Sequence, residues 1–119
     1  MAYVDGFVVP VPKKKVPAYR RMAQKAGKVW REHGALEYRE CIADDVQRGK
    51  STSFPRSVKL KPSEVVWFSW IVYKSRKDRD RVLKKVMADK RLAAMMDPKK
   101  MPFDGKRMFW GGFKLAVDI

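Results

Sequence analysis

The side chains of this chain that can do acid–base, nucleophilic or metal chemistry are few and far apart. Asp5 stands alone in the apolar stretch YVDGFVV, His33 is the single histidine, and Cys41 is the single cysteine. Asp44 and Asp45 are adjacent, and Lys106 and Arg107 follow Asp104-Gly105 in MPFDGKRMFWGGFKLAV. A carboxylate on an apolar face has its pKa raised by desolvation unless a base pairs with it. Asp5 with Lys106 or Arg107 is therefore the constellation that reads most like an active site, its plainer reading being a salt bridge between strands. His33 has the chemistry of a general base or an axial haem ligand. It falls at the end of a helical stripe just before Gly34, where a histidine commonly satisfies a backbone carbonyl. Asp44 and Asp45 have the chemistry to hold a cation or a base, but neighbouring side chains on an extended segment diverge. A turn cap for Asp44 and an ion pair for Asp45 are the readings favoured. Cys41 needs a base beside it to be a nucleophile. Strand parity places it with Glu37 and Arg39, away from Glu40, so a partly buried structural thiol is expected. The catalytic candidates are Asp5, His33 and Asp45.

Larger constellations are missing. With one His and one Cys there is no ligand set for a structural zinc site. No GxGxxG, P-loop, GxSxG or HExxH pattern occurs, and no cofactor is expected. A single cysteine also excludes an intrachain disulfide.

The elements that must position these residues follow from periodicity. Residues 3–11 are β-branched and aromatic without helical period, which argues for a strand. From Lys13 the period changes: Val16, Tyr19, Met22, Ala23, Ala26, Val29, Trp30 and His33 recur at helical steps, with Pro17 tolerable only in the first turn. Residues 35–42 form a half-polar second strand that suits a sheet edge. EVVWFSWIVY, 64–73, is the strongest strand signal. Ser75 opens a second helix with Asp78 placed for a capping box and Val82, Leu83, Val86 and Met87 as its stripe. A short helical turn is expected around 92–96, then a turn at Asp104-Gly105 and a last strand over about 106–117. Gly111 and Gly112 within that strand suggest a bulge or a close backbone approach. The loop 43–63 is long for a compact domain.

At 119 residues, 45% of them apolar, the chain has material for one domain and one core, spanning 1–119. The element order βαββαβ predicts an α+β, ferredoxin-like fold: a four-stranded antiparallel sheet with two helices on one face. Helices cover one face only, yet the third strand is apolar on both. Val66, Phe68, Trp70 and Val72 point one way, while Val65, Trp67, Ile71 and Tyr73 point the other, broken only by Ser69. An open apolar face of that size is an interaction surface, and the economical solution is a homodimer with sheets packed face to face. The competing solution is a monomer in which loop 43–63 folds over the second face.

YVDGFVV, HGALEYRECIADDV, VWFSWIVYKS, VMADKR and above all MPFDGKRMFWGGF resemble the YbaA-like family, small bacterial proteins of unknown function related to the dimeric α/β barrels. The likeness spans nearly the whole chain. It implies a ferredoxin-like protomer in a dimeric α/β barrel and carries no reaction with it. Family-typical surfaces are less basic than this one, and loop 43–63 is more basic than the resemblance leads one to expect.

Twenty-eight Lys and Arg against thirteen Asp and Glu leave a net charge of +15. Such a field attracts polyanions, at least non-specifically and at low salt. Two functional readings follow. The first is a cavity between the sheet and loop 43–63 that binds or transforms a small organic, by charge an anionic, ligand. Its expected lining is Tyr3, Asp5, Phe7, Trp67 and Trp70, with Lys106 or Arg107 at the rim; Trp67 and Trp70 have opposite parity, so one of the two belongs. The second is an RNA-binding module, since βαββαβ is also the order of the RNA-recognition motif. Trp67, Phe68, Trp70 and Tyr73 would stack bases and Lys74, Arg76, Lys77, Arg79, Arg81, Lys84 and Lys85 supply charge. The basic-Gly-aromatic-Gly order of that motif's third strand is absent, so weak, salt-sensitive binding is the form expected. No apolar run reaches the roughly 20 residues of a membrane span, and the opening MAYVDGFVV lacks a signal-peptide pattern. The expected location is the cytoplasm, with no membrane partner.

Overall fold

In the computed structural model, which describes residues 2–119, a sheet of four strands carries its three longer helices on one face and a one-turn helix on the other. The strands are β1 (Tyr3–Pro12), β2 (Glu37–Ile42), β3 (Glu64–Tyr73) and β4 (Phe109–Lys114). Their spatial order is β2-β3-β1-β4, and every neighbouring pair is antiparallel. The helices are α1 (Val16–Glu32), α2 (Phe54–Ser57), α3 (Arg76–Met87) and α4 (Lys90–Met95), with a 3-10 turn at Lys13–Lys15 leading into α1. No helix among the described residues is long and apolar enough to cross a membrane.

The boundaries follow local chemistry. Pro17 sits in the first turn of α1, where its missing N–H leaves nothing unpaired. Gly34 ends that helix at φ +121°, a backbone that a side chain would strain. Ser75 caps α3 by accepting the Asp78 N–H at 3.1 Å. The expected box is only half made, because the Asp78 carboxylate bonds Arg81 instead. The last strand is shorter at both ends than periodicity predicts: residues 106 and 107 belong to the turn before it, and pairing stops at Lys114. Gly111 and Gly112 do not form a bulge: they pair in register with Gly6 and Asp5. Gly112 marks a close approach, since an added Cβ there would stand 2.7 Å from Tyr3 Cε2. The one-turn helix α2 has no periodic signature in its four residues.

Parity assigns the faces. Asp5, Phe7, Val9, Val11, Trp67, Ser69, Ile71 and Tyr73 lie under the helices. Val29 and Ala26 of α1 and Val82 and Val86 of α3 pack on Ile71 and Tyr73; Tyr19 and Ala23 pack on Val9, Val11 and Trp67. Loop 43–63 covers part of the opposite face. Val58, buried to 1% exposure, packs with Leu60 and Ala43 on Val8 and Val66, and Phe54 meets Phe68 edge-on at 5.5 Å. The cover stops there. Phe68 (43% exposed), Phe109 (47%) and Phe113 (64%) remain open to solvent on that face.

Candidate ligand pocket

The cavity of interest lies on the helical side of the sheet, not under loop 43–63. It has a volume of about 410 Å³ and is roofed by α1, α3, α4 and the irregular segment that returns to β4. Its floor is made by two cross-strand rows. One runs Trp110, Phe7, Ser69, Glu40 across all four strands; the next brings Asp5, Ile71 and Tyr38 into line. Trp110 stacks on Phe7 at 5.9 Å. The walls are soft: Met22, Met87, Met95, Met96, Met101 and Met108, every methionine among the described residues, line the space. Unbranched thioethers re-pack at low cost, so such a wall adapts to its occupant.

The polar groups on this apolar surface form two clusters. At the first, Glu40 accepts a hydrogen bond on Oε1 from the Tyr19 hydroxyl and on Oε2 from the Tyr38 hydroxyl, each at 2.8 Å, and a third from Ser69. Burial pushes the Glu40 carboxyl above the usual carboxylate range, against the pull of its three donors. The same burial, with the carboxylate beside them, raises both tyrosine pKa values far beyond the phenol range, so both stay neutral donors. The Tyr38 ring reaches this position because Gly27 of α1 has no side chain; a Cβ there would lie 2.7 Å from the ring.

At the second cluster, Asp5, 1% exposed, is held by Arg79 of α3 through an Nη1–Oδ1 contact of 2.6 Å. The Tyr73 hydroxyl also donates to Asp5 and accepts from Trp30 Nε1 at 3.1 Å. Burial raises the Asp5 pKa, opposed by Arg79 and Tyr73, and the short contact to the guanidinium is that of an ion pair. Arg79 is spent on Asp5 and Asp80 and lies over the Tyr3 ring at 4.9 Å.

The anticipated pairing of Asp5 with Lys106 or Arg107 does not form. Arg107 makes a two-pronged bond to Glu64 at 2.8 and 2.5 Å and also reaches Asp104 and the carbonyls of Val58 and Lys59. It ties the turn before β4 to the start of β3, while Lys106 is exposed. His33 bonds the carboxylate of Asp89 at 2.8 Å rather than a carbonyl. With Arg91 and Glu32 it forms a corner between α1 and α4, outside the cavity lining. Asp45 is exposed and contacts only Gln47 among described side chains, at 3.4 Å. Cys41 is exposed rather than partly buried.

Of the expected lining, Asp5 and Phe7 belong to the cavity. Tyr3 lies on the correct face but is buried against Arg79, and Trp67 is buried against Tyr19 with its indole N–H unpaired. Trp70 lies on the opposite face, next to Phe68. Glu40, Tyr38, Tyr19 and Ser69 are the polar lining that sequence reasoning did not select. Their signal was parity: Tyr38, Glu40 and Ile42 share the face of an edge strand that a helix must cover, and an acid there calls for donors.

Beside the cavity an open groove of about 1090 Å³ separates α1 from β2, bordered by the exposed bases Arg20, Lys28, Arg31 and Arg39. The bases of α3 are less available than the sequence implied, because Arg79 is buried in its ion pairs and Arg81 is held by Asp78.

Residues 2–105 match the family described as "Protein of unknown function (DUF1428)". The chain belongs to the DUF1428 family. It is 50% identical over 118 residues, 99% of both chains, to "Uncharacterized protein YbaA" of Escherichia coli strain K12 and equally to that of Shigella flexneri. Among solved structures it is similar to an uncharacterized NIPSNAP domain protein from Burkholderia xenovorans (TM-score 0.62, 17% identity, 97% of this chain and 95% of that one). It is also similar to a NIPSNAP family protein of unknown function from Agrobacterium tumefaciens (TM-score 0.57, 14% identity, 97% and 88%). At such identities the likeness is one of fold. The DUF1428 match includes Asp5, Tyr19, Tyr38, Glu40 and Ser69 and ends before β4, which supplies Trp110.

Proposed function

We propose that this DUF1428 protein binds a small, largely apolar organic molecule inside the protomer, between the sheet and its helices. The observation that carries the reading is the 410 Å³ cavity itself. It is the size of a ligand site, walled by methionines and aromatic rings, and it has a few polar groups converging on Glu40. A binding role needs no more than this. A turnover would use Glu40, a carboxylate that can take or return a proton at an otherwise largely apolar surface.

The strand order β2-β3-β1-β4 supports a ferredoxin-like protomer, and the exposed phenylalanines on the sheet's other face support a homodimer formed through that face. Loop 43–63 limits the interface without filling it. For nucleic acid, the basic border of the α1–β2 groove supports only salt-sensitive, sequence-independent association.

The pocket is tested by filling it. Ala26→Leu places added carbons at the cavity wall, next to space that can take them. With 2-phenylethanol as a neutral probe, binding followed by tryptophan fluorescence should be lost in this variant while the melting temperature holds. Unchanged binding in the folded variant would place the probe elsewhere and remove the reading.

A further inference from the structure

The cavity wall carries three charged side chains, Asp5, Arg39 and Glu40. Asp5 is neutralised by Arg79 at 2.6 Å. Arg39 is exposed, and the acid it contacts is Glu37, at 3.4 Å. Glu40 has three hydroxyl donors and, among the described residues, no basic partner. A carboxylate offers about four lone-pair sites, so one acceptor position is left over on a group that borders both the cavity and the groove beside it. The interior of a chain with a charge of +15 thus presents an acidic group to its occupant. Trp30 and Tyr38, whose rings are 5.9 Å apart, also line the cavity, and aromatic rings suit an ammonium group.

We propose that the occupant is an amine: an apolar, aromatic or alkyl body bearing a protonated nitrogen that donates to Glu40. This rests on the pocket reading above and adds the polarity of the ligand to it. It reverses the expectation of an anionic ligand drawn from net charge. Net charge is a property of the exposed surface, where Arg20, Lys28 and Arg31 sit, and these bases form no bond with Glu40. Selection inside the cavity is decided by the group within contact distance, because a solvated charge is screened and a buried one is not.

The experiment is a matched series on the wild-type protein: 2-phenylethylamine, 2-phenylethanol and 3-phenylpropionate, titrated by calorimetry at neutral pH in moderate and high salt. One charged hydrogen bond to a partly buried carboxylate predicts that the amine binds about tenfold tighter than the alcohol, with the carboxylate weakest. The positive surface works against this order, so non-specific adsorption cannot imitate it. Glu40→Gln should abolish the preference for the amine over the alcohol, which is read as the ratio of the two affinities in the variant. An alcohol or carboxylate that binds the wild type as well as the amine, or a preference that survives in Glu40→Gln, overturns the amine assignment and leaves the pocket standing. Absence of binding by all three overturns the pocket and the assignment together. If Glu40→Gln does not fold, the wild-type order alone decides.

Discussion

At the scale of single residues, the acids divide by whether a cation reaches them. Asp5 and Glu64 each lie in a buried ion pair, and such pairs are costly to break from one side. Arg79→Met should destabilise the fold by about 3–5 kcal/mol in urea unfolding, while the double change Asp5→Leu with Arg79→Met should recover most of the loss. A single change costing under about 1 kcal/mol would show that the pair is not sealed from water. Asp5→Asn is consequently a probe of folding and not, as the sequence invited one to think, a clean probe of turnover. Glu64 gives a pH signature. Arg107 holds its carboxyl below the ordinary 4.5, so its contribution is present above that pH and is lost as pH falls through the folded-state value. Glu64→Gln should cost about 3 kcal/mol at neutral pH, and the gap to wild type should close below about pH 4. Glu40 has the opposite sign. Its raised pKa favours the folded state at low pH; that advantage is full below the ordinary 4.5 and is lost as pH rises from there through the raised folded-state value.

At the scale of elements, the site depends on how closely α1 approaches β2. Gly27→Ala has two opposed effects: about 1 kcal/mol of helix propensity gained against overpacking of typically 1–3 kcal/mol. Tyr38 is backed by Trp30 and tied to Glu40, and the new Cβ would stand 2.7 Å from its ring. Overpacking should therefore win, with a net loss of about 1 kcal/mol and weakened probe binding; a stabilised variant with intact binding would refute the contact. Elements were also where sequence reading succeeded best. The limits of β3 and the start of β1 agree with periodicity, and α1 ends at Gly34 as expected. The short helix α2 escaped because four residues cannot show a period, and Phe54 and Pro55 there look like loop residues until Val58 is seen to be buried.

At the scale of the molecule, the open sheet face is the feature still seeking a partner. The strand register assigns the faces, so lysine substitutions on the two sides of the sheet have different outcomes. Phe68→Lys or Phe113→Lys should convert a dimer to a soluble monomer by light scattering, because both residues lie exposed on the face that loop 43–63 leaves bare. Phe7→Lys should instead cost folding, since Phe7 packs inside both helical-side clusters. A wild-type protein that is monomeric at micromolar concentration would show that loop 43–63 protects the face well enough alone.

What the sequence determined by itself was period and parity: four strands, the two long helices, and which residues share a side. These are local properties, set by backbone geometry and by the alternation of apolar and polar side chains. It also carried the family, through segments such as MPFDGKRMFWGGF. What only the tertiary structure decided was partnership. Asp5 went to Arg79, 74 residues away, Arg107 to Glu64, 43 residues away, and Glu40 to two tyrosines and a serine on three different elements. A charge does not signal its partner along the chain. Which acid is neutralised and which is left facing a cavity is settled by helix and strand packing, and with it the polarity of the site.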